Sequence, residues 1–246
     1  MEEPDLTGRT VLVTGSARGI GRAFLLALAE RGAKTAVHYH TSDAAARSVA
    51  DEARDRGAEA VTTVRGDVTD PGSVDDLFSS VEDDLGTVDV LVNNVGDFAP
   101  THWADLEFET WNRVLETNLN GTYLCSKRAL PGMRENGFGR IVNLGNASSE
   151  KGLVNPVNFP YFVAKAGVIM FTRMLAADTQ DDGITVNAIS PYVVENSEAF
   201  PEEIPRDRPA SFDDLVRPLL FFVDPESDYV SGQNLEVDGG WLPETV

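Results

Sequence analysis

The chain has 246 residues, enough for one α/β domain with a full core, and 42% hydrophobic and 24% charged residues are ordinary for a soluble globular protein. Forty acidic against 20 basic residues give a formal net charge of −20, a surface that repels nucleic acid and anionic membranes and argues against both as partners. No apolar run approaches the roughly 18 residues of a membrane span, the start Met1-Glu2-Glu3-Pro4-Asp5 lacks a signal peptide's apolar core, and the single Cys125 rules out an internal disulfide, all of which fits a cytoplasmic enzyme.

Apolar runs alternate with amphipathic stretches along the chain. A strand at 10–14 leads to a helix at 19–31. The pattern repeats with strands at 35–39, 61–65, 88–93, 140–145, 184–189 and 234–237. The intervening helices are expected at 42–56, 74–85, 108–134, 161–178 and 212–222. Continuous apolar strands suit a parallel sheet covered on both faces. Repeated strand–helix–strand units call for right-handed crossovers. The expected fold is therefore α/β: a single Rossmann domain over 1–246, with a doubly wound, parallel, seven-stranded sheet. The stretch 195–211, rich in Pro and Glu, reads as a short substrate flap. Cys125, within the 108–134 helix, reads as a small buried thiol. The acids are scattered and lysine is scarce, at four, which resembles proteins of salt-loving organisms, where salt screens self-repulsion.

Thr14-Gly15-Ser16-Ala17-Arg18-Gly19-Ile20-Gly21 follows the first strand and opens the first helix. Glycines allow a tight turn and close backbone approach, and the helix N-terminus offers free N–H groups to a pyrophosphate. An ordinary glycine turn is the competing reading, and the flanking strand and helix argue against it.

Tyr161 and Lys165 stand one helical turn apart on one face. A cation stabilises the phenolate and pulls the phenol's pKa down from about 10. Such a phenol can protonate a carbonyl oxygen while hydride reaches its carbon. Five tyrosines and four lysines give roughly an 8% chance of one such pair by accident, so the pair needs context.

The context is a resemblance, over essentially the whole chain, to the classical short-chain dehydrogenase/reductase family. The glycine motif T-G-x-x-x-G-x-G matches from Thr14 to Gly21. Asn93-Asn94-Val95-Gly96 stands where the family has N-N-A-G, Asn118-Leu119-Asn120-Gly121 is similar to its catalytic-asparagine segment, and Tyr161 and Lys165 match Y-x-x-x-K. Ser231-Gly232-Gln233 and Val237-Asp238-Gly239-Gly240 match its C-terminal strand.

The resemblance implies that Tyr161 is the proton donor in reduction and that Lys165 lowers its pKa and holds the nicotinamide ribose. It also implies that Asn118 holds a water linking Lys165 to solvent. The implied cofactor set is Gly15, Ser16, Arg18, Gly19, Ile20, Gly21, Asp67, Val68, Asn94, Val95, Gly96, Pro191 and Tyr192, with Tyr161 and Lys165. An acid at the end of the second strand would repel a 2′-phosphate. This chain has none before Asp43, while His40, Thr41 and Ser42 could bond the phosphate and Arg18 stands where NADP-preferring relatives place a basic residue. NADP(H) is therefore expected, ahead of NAD(H). Arg18 as a solvated cation, Asp67 as a turn residue and Asn118 as a helix amide bonded to backbone are the competing readings.

The family's substrate-binding serine is where the chain departs. Counting back thirteen from Tyr161 lands on Ser148, taken here as the fourth catalytic residue. Counting forward from the fifth strand lands on Asn146, so the following loop carries a two-residue insertion. Three outcomes stay open: Ser148 reaches the site, the Asn146 amide donates instead, or the donor is missing. Tyr192 replaces the family's usual glycine, and Glu195-Asn196-Ser197 replaces its usual threonine. The expected function is NADP(H)-dependent reduction of a carbonyl, such as a 3-oxoacyl thioester, to an alcohol. The alternatives are a pteridine reductase-like enzyme, suggested by His38-Tyr39-His40-Thr41-Ser42, and a weakly catalytic NADP-binding sensor or scaffold. A homo-oligomer, tetramer or dimer, is expected through the 108–134 and 161–178 helices, with Phe162, Ala166, Ile169 and Met170 available for packing.

Overall fold

The computed structural model describes residues 3–147, 149, 157–197, 200 and 204–240. Seven strands, β1 (Thr10–Val13), β2 (Lys34–Tyr39), β3 (Ala60–Arg65), β4 (Val88–Asn93), β5 (Gly139–Leu144), β6 (Ile184–Pro191) and β7 (Asn234–Val237), pair in parallel. Their order is β3-β2-β1-β4-β5-β6-β7. The chain order reverses between β1 and β4, and such a switch point opens a crevice at the carboxyl ends of the strands.

The helices are α1 (Gly19–Ala29), α2 (Asp43–Asp55), α3 (Pro71–Leu85), α4 (Phe108–Leu115), α5 (Gly121–Asn136), α6 (Phe159–Asp178) and α7 (Phe212–Val223). Strand side chains alternate between two cores. Val11 and Val13 of β1 join Phe24 and Leu28 of α1, Val49 of α2 and Phe222 of α7. Leu12 joins Leu77 and Phe78 of α3, Met133 of α5 and Leu175 of α6. Full burial of a side chain such as Phe78 or Phe222 contributes about 1.5–3 kcal/mol. Cys125 belongs to the second core, and burial pushes its thiol up to about 12, so it is inert as expected.

Helix starts follow local chemistry. Asp70 accepts from the N–H of Ser73 at 2.7 Å ahead of Pro71, and Ser211 and Asp214 form a capping box at α7. The expected single helix over 108–134 is interrupted: a π-helical turn, Glu116–Asn120, separates α4 from α5. Side chains replace backbone bonds there. Asn118 Nδ2 donates to the carbonyl of Val114 and Thr122 Oγ1 to that of Asn118, at 2.9 and 2.8 Å. Such turns often mark functional positions.

α6 is long and apolar enough to cross a membrane by length and composition alone, which corrects the statement that no run approaches that length. It instead packs on β6, burying Ala164, Lys165, Val168, Ile169 and Thr172. Ile169 thus faces the protein interior and is not available to a partner.

Candidate active site

At the switch point the chain turns sharply after β1. Gly15 and Gly19 adopt φ of +66° and +57°, the left-handed region that favours glycine. Gly21 is needed for a different reason: a β-carbon there would stand 2.6 Å from the Gly15 carbonyl oxygen and 2.5 Å from Asn94 Nδ2. Asn94 holds this contact by donating to the Thr14 carbonyl at 2.9 Å. No side chain caps α1, so its N-terminal N–H groups remain for a ligand.

A buried histidine braces the turn. The Gly15 N–H donates to His38 Nδ1 at 2.9 Å, and His38 Nε2 donates to the Gly66 carbonyl at 3.2 Å. One neutral tautomer satisfies both bonds. Burial lowers the imidazole pKa to about 4, which keeps it neutral. Ser16 is tied to the same strand, its N–H donating to the His38 carbonyl and its Oγ accepting from the His38 N–H, both at 3.0 Å. Ser16 is fully buried, and its side chain braces β2.

A cleft of about 450 Å³ lies beside this turn. Of the expected cofactor residues, Gly15, Arg18, His40, Thr41, Ser42, Asp67, Val68 and Val95 line it. Gly19, Ile20, Gly21, Asn94, Gly96, Pro191 and Tyr192 do not; Tyr192 instead lines a second cavity of about 320 Å³ with Arg206 and Asp238. Arg113, Glu116 and Thr117 from α4 and the π turn line the cleft and were missed, because nothing in a helical pattern says which turn faces a ligand. Arg18 is exposed and has no ion-pair partner among the described residues. Asp67 accepts from the N–H and hydroxyl of Thr69, at 2.9 and 2.7 Å, and the first of these chiefly lowers its pKa. It is a turn residue that also lines the cleft.

Beyond the cleft stand the residues expected to carry the chemistry. Lys165 is 4% exposed and donates from Nζ to the Leu144 carbonyl at 2.7 Å, and burial lowers its pKa to about 8. Its Nζ lies 5.6 Å from the centre of the Tyr161 ring. The expected lowering of the Tyr161 pKa is not found: burial raises it, and the Lys165 ammonium donates to the Leu144 carbonyl. Asn118 Nδ2 also donates to the Asp97 carbonyl at 2.9 Å, while its buried Oδ1 has no partner among the described residues. The competing reading of Asn118, an amide bonded to backbone, is correct for its nitrogen only. A β-carbon at Gly96 would stand 2.6 Å from Asn118 Oδ1 and 3.6 Å from Lys165 Nζ, so glycine is required beside Asn118.

Ser148 lies outside the described residues. Asn146 follows β5 in firm register, with Gly145 and Ala147 N–H groups bonded to the Ile189 and Pro191 carbonyls, and its Nδ2 donates to the Ala147 carbonyl at 2.7 Å. Asn196 of the flap reaches the glycine turn, with Nδ2 2.9 Å from the place of a β-carbon on Gly19. The sequence marked it only as a replaced threonine.

A dinucleotide-type crevice flanked by a phenol and a buried ammonium is the arrangement of a nucleotide-dependent oxidoreductase. Comparison with known proteins narrows that class. Residues 15–242 match the family model described as Enoyl-(Acyl carrier protein) reductase. A 3-oxoacyl-[acyl-carrier-protein] reductase of Synechocystis sp. is 37% identical over 245 residues, covering 96% of this chain and 98% of that protein. An acetoacetyl-CoA reductase of Shinella zoogloeoides is 35% identical, covering 94% and 98%. A solved structure described as a candidate short-chain alcohol dehydrogenase from Sinorhizobium meliloti superposes with a TM-score of 0.90 at 30% identity, covering 96% and 97%. The chain belongs to the short-chain dehydrogenase/reductase family and is an oxidoreductase.

Proposed function

We propose that the protein reduces the ketone of a 3-oxoacyl thioester, or a similar ketone, to an alcohol with NADP(H). The observation that carries the reading is that Lys165 Nζ and Asn118 Oδ1 both border Gly96, with Tyr161 one helical turn from Lys165. The thioester class is supported by the names of the relatives from Synechocystis and Shinella.

The residues present fit a dinucleotide. Gly15 and Gly19 take the left-handed backbone of the turn beside the cleft, α1 carries no side-chain cap, and Asn118 Oδ1 is an open buried acceptor. Gly15, Thr41 and Ser42 would hold the adenosine end, with Arg18 and His40 on the 2′-phosphate. The bound cofactor supplies a hydride. Tyr161 gives its hydroxyl proton to the carbonyl oxygen as negative charge grows there. Lys165, protonated below about pH 8, stabilises the phenolate left behind. Asn118 keeps Oδ1 open beside Gly96, suited to a water that returns a proton through Lys165.

The description of the matching family model favours a second reading, reduction of an enoyl double bond. NADPH oxidation by the purified protein with 3-oxoacyl thioesters, 2-enoyl thioesters, simple ketones and pterins separates the two. Consumption with the 3-oxoacyl thioester is expected. Consumption with only the enoyl thioester supports the second reading, and binding without turnover supports a sensor. Assembly is proposed through the exposed stripe Val163, Met170 and Met174 of α6 with Tyr123 of α5, and sizing in high salt tests it.

A further inference from the structure

Phe98 is 56% exposed, yet its ring meets the edge of the Tyr161 ring at 5.1 Å and 77°. A lone exposed phenylalanine is commonplace. This one is held in place from both sides. On one side, Asp97 pairs with Arg113 of α4, and its carbonyl accepts from Asn118 Nδ2 at 2.9 Å. On the other, the Ala99 N–H donates to Asn158 Oδ1, and the Asn158 N–H donates to the Thr101 carbonyl, both at 3.0 Å. Asn158 is buried and adopts φ of +70°, a conformation costly for a residue with a side chain. It immediately precedes α6, three residues before Tyr161. The two elements that carry Asn118 and Tyr161 therefore both fix the position of Phe98. Its open face is apolar and offers no hydrogen bond.

We infer that Phe98 is the wall against which the substrate's carbon chain packs, and that the enzyme selects 3-oxoacyl groups with several methylenes over acetoacetyl. The inference rests on the ketone reduction proposed above. A carbonyl oxygen at the Tyr161 hydroxyl brings its alkyl substituent to the ring in edge contact with Tyr161. A pterin ring would need polar partners that this wall lacks. Each methylene buried there gains roughly fourfold in kcat/KM, so two covered methylenes give about fifteenfold.

The test uses N-acetylcysteamine thioesters of 3-oxobutanoate and 3-oxooctanoate, whose neutral carrier removes charge effects. The wild-type protein should prefer the octanoyl substrate by about fifteenfold, the value for two buried methylenes. Phe98→Ala should lower kcat/KM for the octanoyl substrate about tenfold more than for the butanoyl one, and Phe98→Leu should restore most of the preference. A loss of equal size on both substrates, or a wild-type preference for butanoyl, overturns the inference while ketone reduction stands. A wild-type protein that turns over neither thioester overturns the function reading and this inference together.

Discussion

Lys165 Nζ donates to the carbonyl of Leu144 at 2.7 Å, at the very end of β5. That bond anchors the ammonium to the sheet while leaving it 5.6 Å from the centre of the Tyr161 ring. Burial lowers its pKa to about 8 without a carboxylate to hold the charge. The protonated form is the one that stabilises a phenolate, so activity should fall as pH rises through about 8. A pH profile of kcat/KM should show this alkaline limb. Lys165→Met should cost roughly a hundredfold or more in rate. A flat profile from pH 7 to 10 would contradict the assignment.

Arg18 stands at the mouth of the cleft without an ion-pair partner among the described residues. One charge-assisted bond to a phosphate is worth about 1.5–3 kcal/mol, so Arg18→Ala should weaken NADPH binding at least tenfold. NADH binding should change far less. Cofactor titrations of both proteins check this, and equal losses for the two cofactors would remove Arg18 from the 2′-phosphate site.

His38 ties the Gly15 turn to Gly66 in a neutral form, with pKa lowered to about 4 by burial. His40 and Asp67 also face it, acting in opposite senses. Between pH 6.5 and about 4 the unfolded chain binds a proton here that the folded chain does not. Stability is therefore lost as pH falls through that window, by about 3 kcal/mol once the group is charged in both states. Urea melts at pH 7 and pH 5 should show His38→Asn with a shallower acid loss. An unchanged acid loss would show that other groups dominate.

Several arginines serve two acids each: Arg56 binds Glu30 and Glu52, and Arg134 binds Asp178 and Asp182. With 40 acids and 20 bases, repulsion remains on the surface. Salt shortens the Debye length from about 10 Å at 0.1 M to about 3 Å at 1 M. The melting temperature should therefore rise by several degrees between dilute and molar KCl. Equal melting in both would end the salt-adapted reading.

The sheet was legible because strands such as β1 and β4 are buried apolar runs, and β4 fell at the expected residues. The glycine turn and the Tyr161–Lys165 pair were legible because their spacing is their chemistry. The break at Glu116–Asn120 was not, since a π turn keeps helical periodicity and depends on Asn118 and Thr122 bonding to backbone. The burial of Ser16 against β2 was not legible, because it depends on His38, a partner 22 residues away. The raised Tyr161 pKa was invisible because burial sets it, and spacing says nothing of burial.

The central claim is that Tyr161 donates the proton while hydride reaches a ketone carbon. The most direct measurement is turnover of a 3-oxoacyl thioester with NADPH deuterated at the transferring position, in the wild-type protein and in Tyr161→Phe. Deuterium on the hydroxyl-bearing carbon of the wild-type product is predicted, with the variant slower by roughly a hundredfold or more. Label in the variant's product at the wild-type rate, or NADPH bound with no label transferred, would contradict it.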